Sequence, residues 1–390
     1  MRLAGTPVEL DAYPATSLTH RSFAAMDLGR LDVVFLPPSL RPLSDEAPRE
    51  RHTFVEDDNR GAIAPDPIAT IDGREYFLSV KGIGSAVDPY STRPLDRPTA
   101  FGLTDDPDLR ERLARPPPDP DPRMITGELW LRGSPYGGQG LEHATTALRI
   151  SERADLTSIH GFRIAPVVKV CFLPPALEAR VRQIFWYRQY PGRIVQELRL
   201  VPSNVRIYFH ARTTVGTSVQ YVFDRFGIDR SAAAVAFETN LVRSSVALLT
   251  LFARTLVHDP VRDRYAGLDF HDVWLDKDAV IAPDGEVHFV DLEGIEEVAL
   301  DAADVREKIE DQVYRSLYEF VFAYEQIEQE RVRRFGGPAD RRGHFERILT
   351  EALRDDPFVR LRRDGPHLAM EVRNRCANEN LYLAFRMLDR

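Results

Sequence analysis

Cysteine is scarce in this chain of 390 residues, which contains only Cys171 and Cys376. Two cysteines so far apart form neither a disulfide framework nor a CxxC metal motif, so we expect a reducing compartment. Long apolar runs are missing as well, because the most apolar window, residues 246–253, is far too short to cross a bilayer. The first ten residues contain no apolar signal core. These absences predict a cytoplasmic protein without a membrane partner.

Positive charge is also in deficit. Lysine and arginine total 51 against 60 aspartates and glutamates, which gives a net charge of −9. This balance argues against a general nucleic-acid or anionic-membrane binder, although it allows a locally basic pocket. A hydrophobic content of 43% and a charged content of 28% are typical of a globular protein, and the length suits two lobes.

Several well-known catalytic motifs are absent. No G-x-G-x-x-G sequence precedes Lys81, which argues against an ordinary protein kinase. The chain also lacks a Walker motif, an H-E-x-x-H zinc motif and a G-x-S-x-G nucleophile elbow. Its functional residues must therefore be sought among side chains that the fold brings together.

An acidic hairpin is the most informative segment that is present. Residues 279–282 and 287–290 are apolar and strand-like, and the Pro-Asp-Gly sequence between them is typical of a tight turn. Five acidic residues flank it, namely Asp272, Asp276 and Asp278 before it and Asp291 and Glu293 after it. A two-stranded ribbon brings both groups to one end, where carboxylates suit Mg²⁺ that carries phosphates. From the spacing alone, a hairpin with solvated acidic loops is an equal alternative.

The predicted elements change in kind along the chain. The first half has a hairpin over residues 68–81, a helix over 141–156 and strands over 165–172, 192–201 and 205–209. The second half has helices over 231–257, 302–335, 342–353 and 371–388. A β-rich half with a strand lysine, followed by a helical half with an acidic hairpin, predicts an α+β, protein-kinase-like fold with two lobes.

This layout divides the chain into three parts. Residues 1–60 are predicted to be an irregular N-terminal arm. Residues 61–210 form a kinase-like N-lobe, with a proline-rich surface insertion at 96–122. Residues 211–390 form a helical C-lobe that carries the acidic hairpin.

Lys81 ends a predicted strand and is followed at once by Gly82, Gly84 and Ser85 in the sequence KGIGS. In a kinase-like site a strand lysine holds nucleotide phosphates and pairs with a glutamate from a helix. Glu142 and Glu152, both on the predicted helix 141–156, are the candidates for that partner. The simpler alternatives are an ordinary lysine at a strand end, a plain glycine turn and a solvated helix glutamate.

Arg199 and Arg206 lie on either side of a predicted turn, one on each strand of a predicted hairpin. Arginine can bind a phosphate through two parallel hydrogen bonds, so the pair is a candidate phosphate clamp. Each arginine taken alone is more simply interpreted as a surface residue.

These segments together resemble the selenoprotein O family of kinase-like protein adenylyltransferases. The sequence VKGIG at residues 80–84, followed by PYS at 89–91, is similar to that family's LKGAG and TPYSR. Residues 198–207 resemble its arginine-bearing strand pair and keep the spacing of seven between the two arginines. The sequence HDVWLDKD at 271–278 resembles its metal-binding loop, and Asp291 matches the metal-binding aspartate of its D-Y-G segment.

The resemblance implies a kinase-like transferase that uses ATP and Mg²⁺ or Mn²⁺ to AMPylate hydroxyl groups of a protein acceptor. It implies that nucleotide phosphates are bound by Lys81, Gly82, Gly84, Ser85, Arg199 and Arg206. Asp278 and Asp291 are implied to be the metal ligands. Glu152 is the nearest match to the family's lysine-pairing glutamate, after a shift of about one helical turn.

One departure from the family keeps other functions open. Lys277 falls where the family has its candidate catalytic base, so Asp276 or Asp272 would have to orient the acceptor hydroxyl instead. The matched blocks are short and lie between about residues 76 and 297. Two alternatives therefore remain, a phosphotransferase that moves the γ-phosphate to a small molecule or protein, and a non-catalytic nucleotide-binding pseudokinase scaffold.

Overall fold

The structure is a computed structural model with a mixed α+β fold, of which 39% is helix and 38% is strand. It describes residues 3, 7–24, 31–36, 47–57, 61–82, 139–181, 192–208, 217–270, 275–337, 341–364, 367–373 and 380–385. The predicted insertion at 96–122 lies outside these residues. The α+β fold class is confirmed.

A large antiparallel sheet dominates the first half of the chain. The strands there are β1 (Pro7–Pro14), β2 (Thr16–Thr19), β3 (Val33–Leu36), β4 (Glu50–Asp57), β5 (Gly61–Ile71), β6 (Arg74–Lys81), β7 (Gln139–Gly140), β8 (Ser158–Ile159), β9 (Phe162–Arg163), β10 (Val167–Phe172), β11 (Ile194–Val201) and β12 (Ile207–Tyr208). Nine of them form one sheet in the order β2-β10-β11-β6-β5-β4-β1-β3, with β7 paired to β11. The strand β6 that ends in Lys81 is therefore near the centre of the sheet.

The prediction of an irregular arm over residues 1–60 is wrong for the described residues. β1, β2, β3 and β4 are all members of the nine-stranded sheet. Tyr13, Phe35 and Phe54 from this segment are buried in the same core as Tyr76 and Leu78 of β6. Their apolar surface is removed from water only because the sheet continues into the N-terminal segment.

The predicted hairpin over residues 68–81 is confirmed. β5 and β6 pair through Ile71 and Arg74, and the turn between them has positive φ at both Asp72 and Gly73. The hairpin predicted between 192–201 and 205–209 is wrong, because β11 pairs with β6 and β10 instead. The extended strand β11 is thus a central strand with neighbours on both sides.

The helices within the described residues are α1 (Leu141–Ser151), α2 (Pro175–Val181), α3 (Val219–Phe226), α4 (Ser231–Leu249), α5 (Leu251–Thr255), α6 (Leu275–Asp278), α7 (Ala302–Phe335) and α8 (Arg341–Ala352). Single 3-10 turns occupy Arg21–Phe23 and Leu292–Gly294. The predicted helix over 302–335 is confirmed along its whole length, and it ends at Gly336, where φ is +73°. The predicted helix over 231–257 is divided at Thr250 into α4 and α5.

Short strands accompany these helices. They are β13 (Thr217–Ser218), β14 (Val257–Asp259), β15 (Arg264–Phe270), β16 (Ala279–Ile281), β17 (Val287–Phe289), β18 (Ile295–Leu300), β19 (Val359–Asp364), β20 (His367–Arg373) and β21 (Asn380–Phe385). The described part of the predicted helix 371–388 is strand, because β21 pairs with β20 and β20 with β19. Cross-strand pairing here overrides the helix preference of the individual residues.

The acidic hairpin is confirmed and is clamped between the sheet and the helices. β16 pairs with β17, and the turn glycine, Gly285, has a φ of +93°. A Cβ atom at Gly285 would collide with the carbonyl oxygen of Phe237 in α4, so the turn lies directly against that helix. On the other side, the Ala165 N–H donates to the Phe289 oxygen at 2.8 Å. The first contact fixes the turn of the hairpin against α4, and the second fixes its open end beside the segment that leads into β10.

Among the described helices, α4 alone has the length and apolar composition of a membrane span. Of that apolar window, 56% is buried inside the protein, and α4 packs along α7. Its buried residues Phe237, Leu241 and Leu248 belong to the same core as the acidic hairpin. In this structure α4 is the central helix of the helical half.

Candidate functional site

Lys81 lies where β6 meets the acidic hairpin, and its ammonium group binds two carboxylates. Its Nζ donates to Asp291 Oδ1 at 2.9 Å and to Glu293 Oε1 at 2.7 Å. The lysine side chain is only 5% exposed. The strand residue and the acids that follow the hairpin are thus in direct contact across 210 positions of sequence.

Strand register places two more charged residues beside Lys81. Glu197 of β11 is the antiparallel partner of Lys81, and Arg199 lies two positions further along the same face. Both side chains are buried, and the Arg199 guanidinium lies 3.8 Å from Glu197. Arg199 also donates from Nη1 to the Val290 oxygen at 2.7 Å and lies 3.6 Å from Asp291. Arg199 therefore links the sheet to the end of the hairpin.

Arg206 reaches the same region from the segment after β11. Ser203 donates its hydroxyl to the Ile281 oxygen at 2.6 Å, and the Ile281 N–H donates to the Val205 oxygen at 2.9 Å. These bonds hold the segment along β16. Arg206 is buried, and its charge acts on Asp291. We call Lys81, Glu197, Arg199, Arg206, Asp291 and Glu293 the site cluster.

Asp278 and Asp291 lie at opposite sides of the open end of the hairpin. The Val290 N–H donates to the Asp278 backbone oxygen at 2.8 Å, so the two strands are still paired where the acids begin. Asp278 is buried. The sequence-based expectation that the ribbon gathers these two acids at one end is therefore confirmed.

Burial and charge have opposite effects on the acids of the site cluster. Burial would raise the pKa of Asp291, but the positive charges of Lys81 and Arg199 outweigh it and hold that pKa well below its usual value. For Glu197 burial prevails and raises the pKa to about 7, although Lys81 and Arg199 act against it. The cluster thus contains one firmly ionised carboxylate and one that holds its proton close to neutral pH.

The lysine itself remains charged. Burial lowers the pKa of Lys81, but the carboxylates of Asp291 and Glu293 more than compensate and raise it above the ordinary lysine value. A permanently charged ammonium group beside two arginines is suited to bind a polyanion, and it is not suited to act as a base.

The predicted pairing of Lys81 with Glu152 is wrong. Glu152 is the C-terminal cap of α1, and its carboxylate accepts a hydrogen bond from the Arg21 backbone at 3.4 Å. The Arg21 side chain lies 3.6 Å from the same oxygen. The alternative candidate, Glu142, is exposed in the first turn of α1. The carboxylate of Glu152 therefore contacts the N-terminal segment at Arg21.

Other predicted residues fall partly outside the description. Gly82 follows Lys81 with a φ of +99°, and its carbonyl oxygen accepts from Gln196 at 3.3 Å. Gly84, Ser85 and Asp272 lie outside the described residues. Asp276 belongs to α6, but its side chain lies outside the description, as does that of Lys277.

Glu197 and Gln139 were not among the sequence-based candidates, and Glu293 was identified only as one of the acids that flank the hairpin. Glu197 and Glu293 each lie two positions from a predicted residue, Arg199 and Asp291, on an extended or tightly turned segment. Gln139 comes from β7 and donates from Nε2 to Glu293 Oε1 at 3.4 Å. The only available signal was a charged residue inside a buried strand, as in IVQELRLV for β11.

The donor set suits a metal ion that is carried by a ligand. Mg²⁺ often takes one or two protein carboxylates and completes its coordination with phosphate oxygens and water. Asp278 and Asp291 supply that number. Within the described residues, no group of three or more His, Cys, Asp or Glu is arranged to hold a metal. A metal at this hairpin would depend on phosphate oxygens for the rest of its ligands.

Comparison with known proteins identifies no relative of this chain. No protein-family model, no curated protein and no solved structure matches the chain.

Proposed function

We propose that the protein is a Mg²⁺-dependent, ATP-using transferase of kinase-like, two-lobe architecture that transfers AMP to hydroxyl groups of a protein acceptor. One observation carries the proposal. Lys81, Arg199 and Arg206, which are buried, and Asp291, which is 15% exposed, come from distant parts of the sequence and meet in one cluster at the end of the acidic hairpin. The proposed lobes are the nine-stranded sheet and the helices around α4 and α7.

The cations of the site cluster would bind the phosphates of ATP. Phosphoryl and nucleotidyl transfer need positioning and charge neutralisation more than covalent chemistry from the protein. Without nucleotide, Lys81 is neutralised by Asp291 and Glu293. When a triphosphate binds, its oxygens would take over part of that neutralisation, and Arg199 would remain fixed by its bond to the Val290 oxygen.

Asp278 and Asp291 would hold the metal ion, which neutralises phosphate charge when it is bound. The low pKa of Asp291 keeps its carboxylate ionised and able to act as a ligand at any physiological pH. With a metal ion on Asp291, the Lys81 ammonium group would no longer be paired with that carboxylate and would be available to bind the phosphates.

The choice of AMP as the transferred group follows from the resemblance to the selenoprotein O family. In that reaction the acceptor oxygen forms a bond to the α-phosphorus of ATP, the bond from that phosphorus to the bridging oxygen breaks, and pyrophosphate leaves. The acceptor proton would pass to Asp276 or Asp272. A phosphotransferase would instead break the bond at the γ-phosphorus.

A second candidate, a non-catalytic nucleotide-binding pseudokinase scaffold, has one observation in its favour. The site cluster is already compensated in charge, with three cations beside the three carboxylates of Glu197, Asp291 and Glu293. A cluster that is balanced in this way can also serve to hold the sheet to the hairpin.

Transfer of label from ATP tests the proposal. The protein is incubated with Mg²⁺ and ATP labelled at either the α- or the γ-phosphate, beside Lys81→Ala and Asp291→Ala. Matched controls are Lys169→Ala and Asp269→Asn, which alter a buried lysine of β10 and a buried aspartate of β15 with ion pairs of their own.

Label from the α-position alone, lost in both site variants and kept in both controls, is the expected result. Label from the γ-position alone identifies a phosphotransferase and contradicts AMP transfer. Binding of ATP without transfer of either label leaves the scaffold function. Transfer that persists in both Lys81→Ala and Asp291→Ala would contradict the assignment of the site cluster as the catalytic site.

A further inference from the structure

We propose that Glu293 is the positioning residue that holds Lys81 against the nucleotide phosphates, in place of the helix glutamate of a kinase-like site. The inference rests on the proposed function and deepens it. It is drawn from the bonding around Lys81, in which Glu293 supplies the shorter of the two hydrogen bonds, 2.7 Å against 2.9 Å.

The backbone fixes Glu293 in place. It lies inside the 3-10 turn Leu292–Gly294, directly after Asp291. Leu292 is fully buried, and the Gly294 N–H donates to the Asp291 oxygen at 3.0 Å. A side chain that leaves such a short, anchored turn loses little conformational freedom when it binds the lysine.

The other carboxylates near Lys81 are less suited to the same role. Asp291 is needed by the metal in the proposed function, so its bond to the lysine would be exchanged when ATP binds. Glu197 is the register partner of Lys81, but within the described residues neither of its carboxylate oxygens accepts a hydrogen bond. Glu152 contacts Arg21 instead. Glu293 is therefore the carboxylate that can remain on Lys81 throughout.

Glu293 also connects the lysine to α1. Its Oε1 accepts from Gln139 Nε2 at 3.4 Å, and Gln139 is fully buried in β7, immediately before the helix. β7 is itself fixed to the sheet through the pairing of Gln139 with Val195 of β11. Glu293 thus accepts hydrogen bonds from both Gln139 and Lys81, and these two bonds connect α1 to the strand lysine. The glutamate itself lies on the turn after the hairpin.

The affinity of the full-length protein for Mg²⁺–ATP, measured by titration calorimetry, tests the inference. Glu293→Gln keeps the size of the side chain and removes its charge, and Glu296→Gln, an exposed acid three positions further on, is the matched control. We expect Kd to rise about tenfold for Glu293→Gln, since it removes one charge-assisted hydrogen bond. The number of binding sites per chain should remain that of the wild type.

Gln139→Ala supplies a second test. It should weaken binding less, by about threefold, because it removes only a long neutral donor from Glu293. The double variant Gln139→Ala/Glu293→Gln should bind no more weakly than Glu293→Gln alone, since both changes act through the same bond to Lys81.

The outcomes separate this inference from the function on which it rests. If the wild type binds ATP and Glu293→Gln binds with the same Kd, the positioning role is wrong and the proposed function stands. If Glu293→Gln lowers only the number of sites and leaves Kd unchanged, Glu293 serves folding alone, and the inference is overturned. If the wild type itself does not bind Mg²⁺–ATP, the proposed function fails and the inference fails with it.

Discussion

Two groups of charged residues, one at the hairpin and one among the helices, compensate charge that is removed from water, and they do so in different ways. The first is the site cluster. The second, which we call the helical cluster, lies between α4, α7 and α8 and consists of Glu238, Tyr324, Glu328, Arg331 and His344. In each of them burial raises the pKa of one glutamate, Glu197 or Glu238, to about 7.

The helical cluster is built from neighbouring turns and one guanidinium group. Arg331 Nε donates to Glu238 at 2.6 Å and Nη2 to Glu328 at 3.5 Å, three residues back along α7. Tyr324, one turn further back, donates to Glu328 at 3.3 Å. One buried arginine thus connects α4 to α7, which limits the free-energy cost of desolvating charged groups.

The site cluster gathers three cations from three separate segments, namely Lys81 from β6, Arg199 from β11 and Arg206 from the segment that follows β11. Burying three like charges together is unfavourable unless several anions compensate them. A structural role is achieved elsewhere in this protein with a single arginine. The difference supports the proposal that the site cluster binds a multiply charged anionic ligand.

The largest expected difference between the clusters is in transfer activity. Asp291→Asn should reduce transfer of label from ATP by at least about 1,000-fold, because it removes the charge that the metal ion requires. Initial rates measured per folded molecule check this prediction. Arg331→Ala should leave the same rate unchanged, and an equal loss in both variants would contradict the functional distinction between the clusters.

The free energy of unfolding should depend more on the helical cluster than on the site cluster. Arg331→Ala leaves Glu238 and Glu328 without their shared cation, and we expect the free energy of unfolding to fall by about 3–5 kcal/mol. Denaturant unfolding measures this change. Arg333→Ala, which removes a neighbouring arginine with a 67% exposed side chain, should cost less than about 1 kcal/mol. Equal costs would show that the helical cluster does not stabilise the fold.

A smaller effect is expected when the shape of one site cation changes. Arg199→Lys keeps the charge, but a lysine cannot bond the Val290 oxygen and a phosphate in the same fixed geometry. The Kd for Mg²⁺–ATP should rise about tenfold. Arg193→Lys, a change just before the same strand at an arginine that pairs with Glu178, is the control and should not alter Kd.

A further expected effect is a dependence of stability on pH that the helical cluster shares with the site. The pKa of Glu238 is raised from 4.5 to about 7 by burial, so between these values the folded chain binds more protons than the unfolded chain. The free energy of unfolding should therefore decrease as the pH rises from about 5 to 7. Unfolding at several pH values should give a flatter profile for Glu238→Gln, and an identical profile would contradict the assignment.

The parts of the fold that the sequence predicted are those with strong local signals. The apolar positions of α7 recur at helical spacing up to a glycine, and both of its ends were predicted correctly. The hairpin β16–β17 has a Pro-Asp-Gly turn between two apolar runs. In both segments the local preference and the final structure agree, which is why single-sequence reasoning was sufficient.

The parts that were missed depend on pairing between distant segments. β1 begins and ends with proline and shows no regular alternation, and it is stabilised as a strand by β3 and β4. β21 has the residues of a helix but completes a three-stranded sheet. At the site, Lys81, Arg199 and Asp291 were predicted to act together. Glu197 and Glu293 acquire their place only from the register of β11 and the turn after the hairpin.

Calorimetric titration of Mg²⁺–ATP into wild type, Lys81→Met and Lys169→Met addresses the nucleotide site itself. Both substitutions remove a buried lysine from the same sheet, and only Lys81 belongs to the site cluster. We predict one binding site per chain for the wild type and Lys169→Met, and at least tenfold weaker binding for Lys81→Met. The absence of binding to the wild type, or equal affinity in all three proteins, would contradict the assignment of this cluster as a nucleotide site.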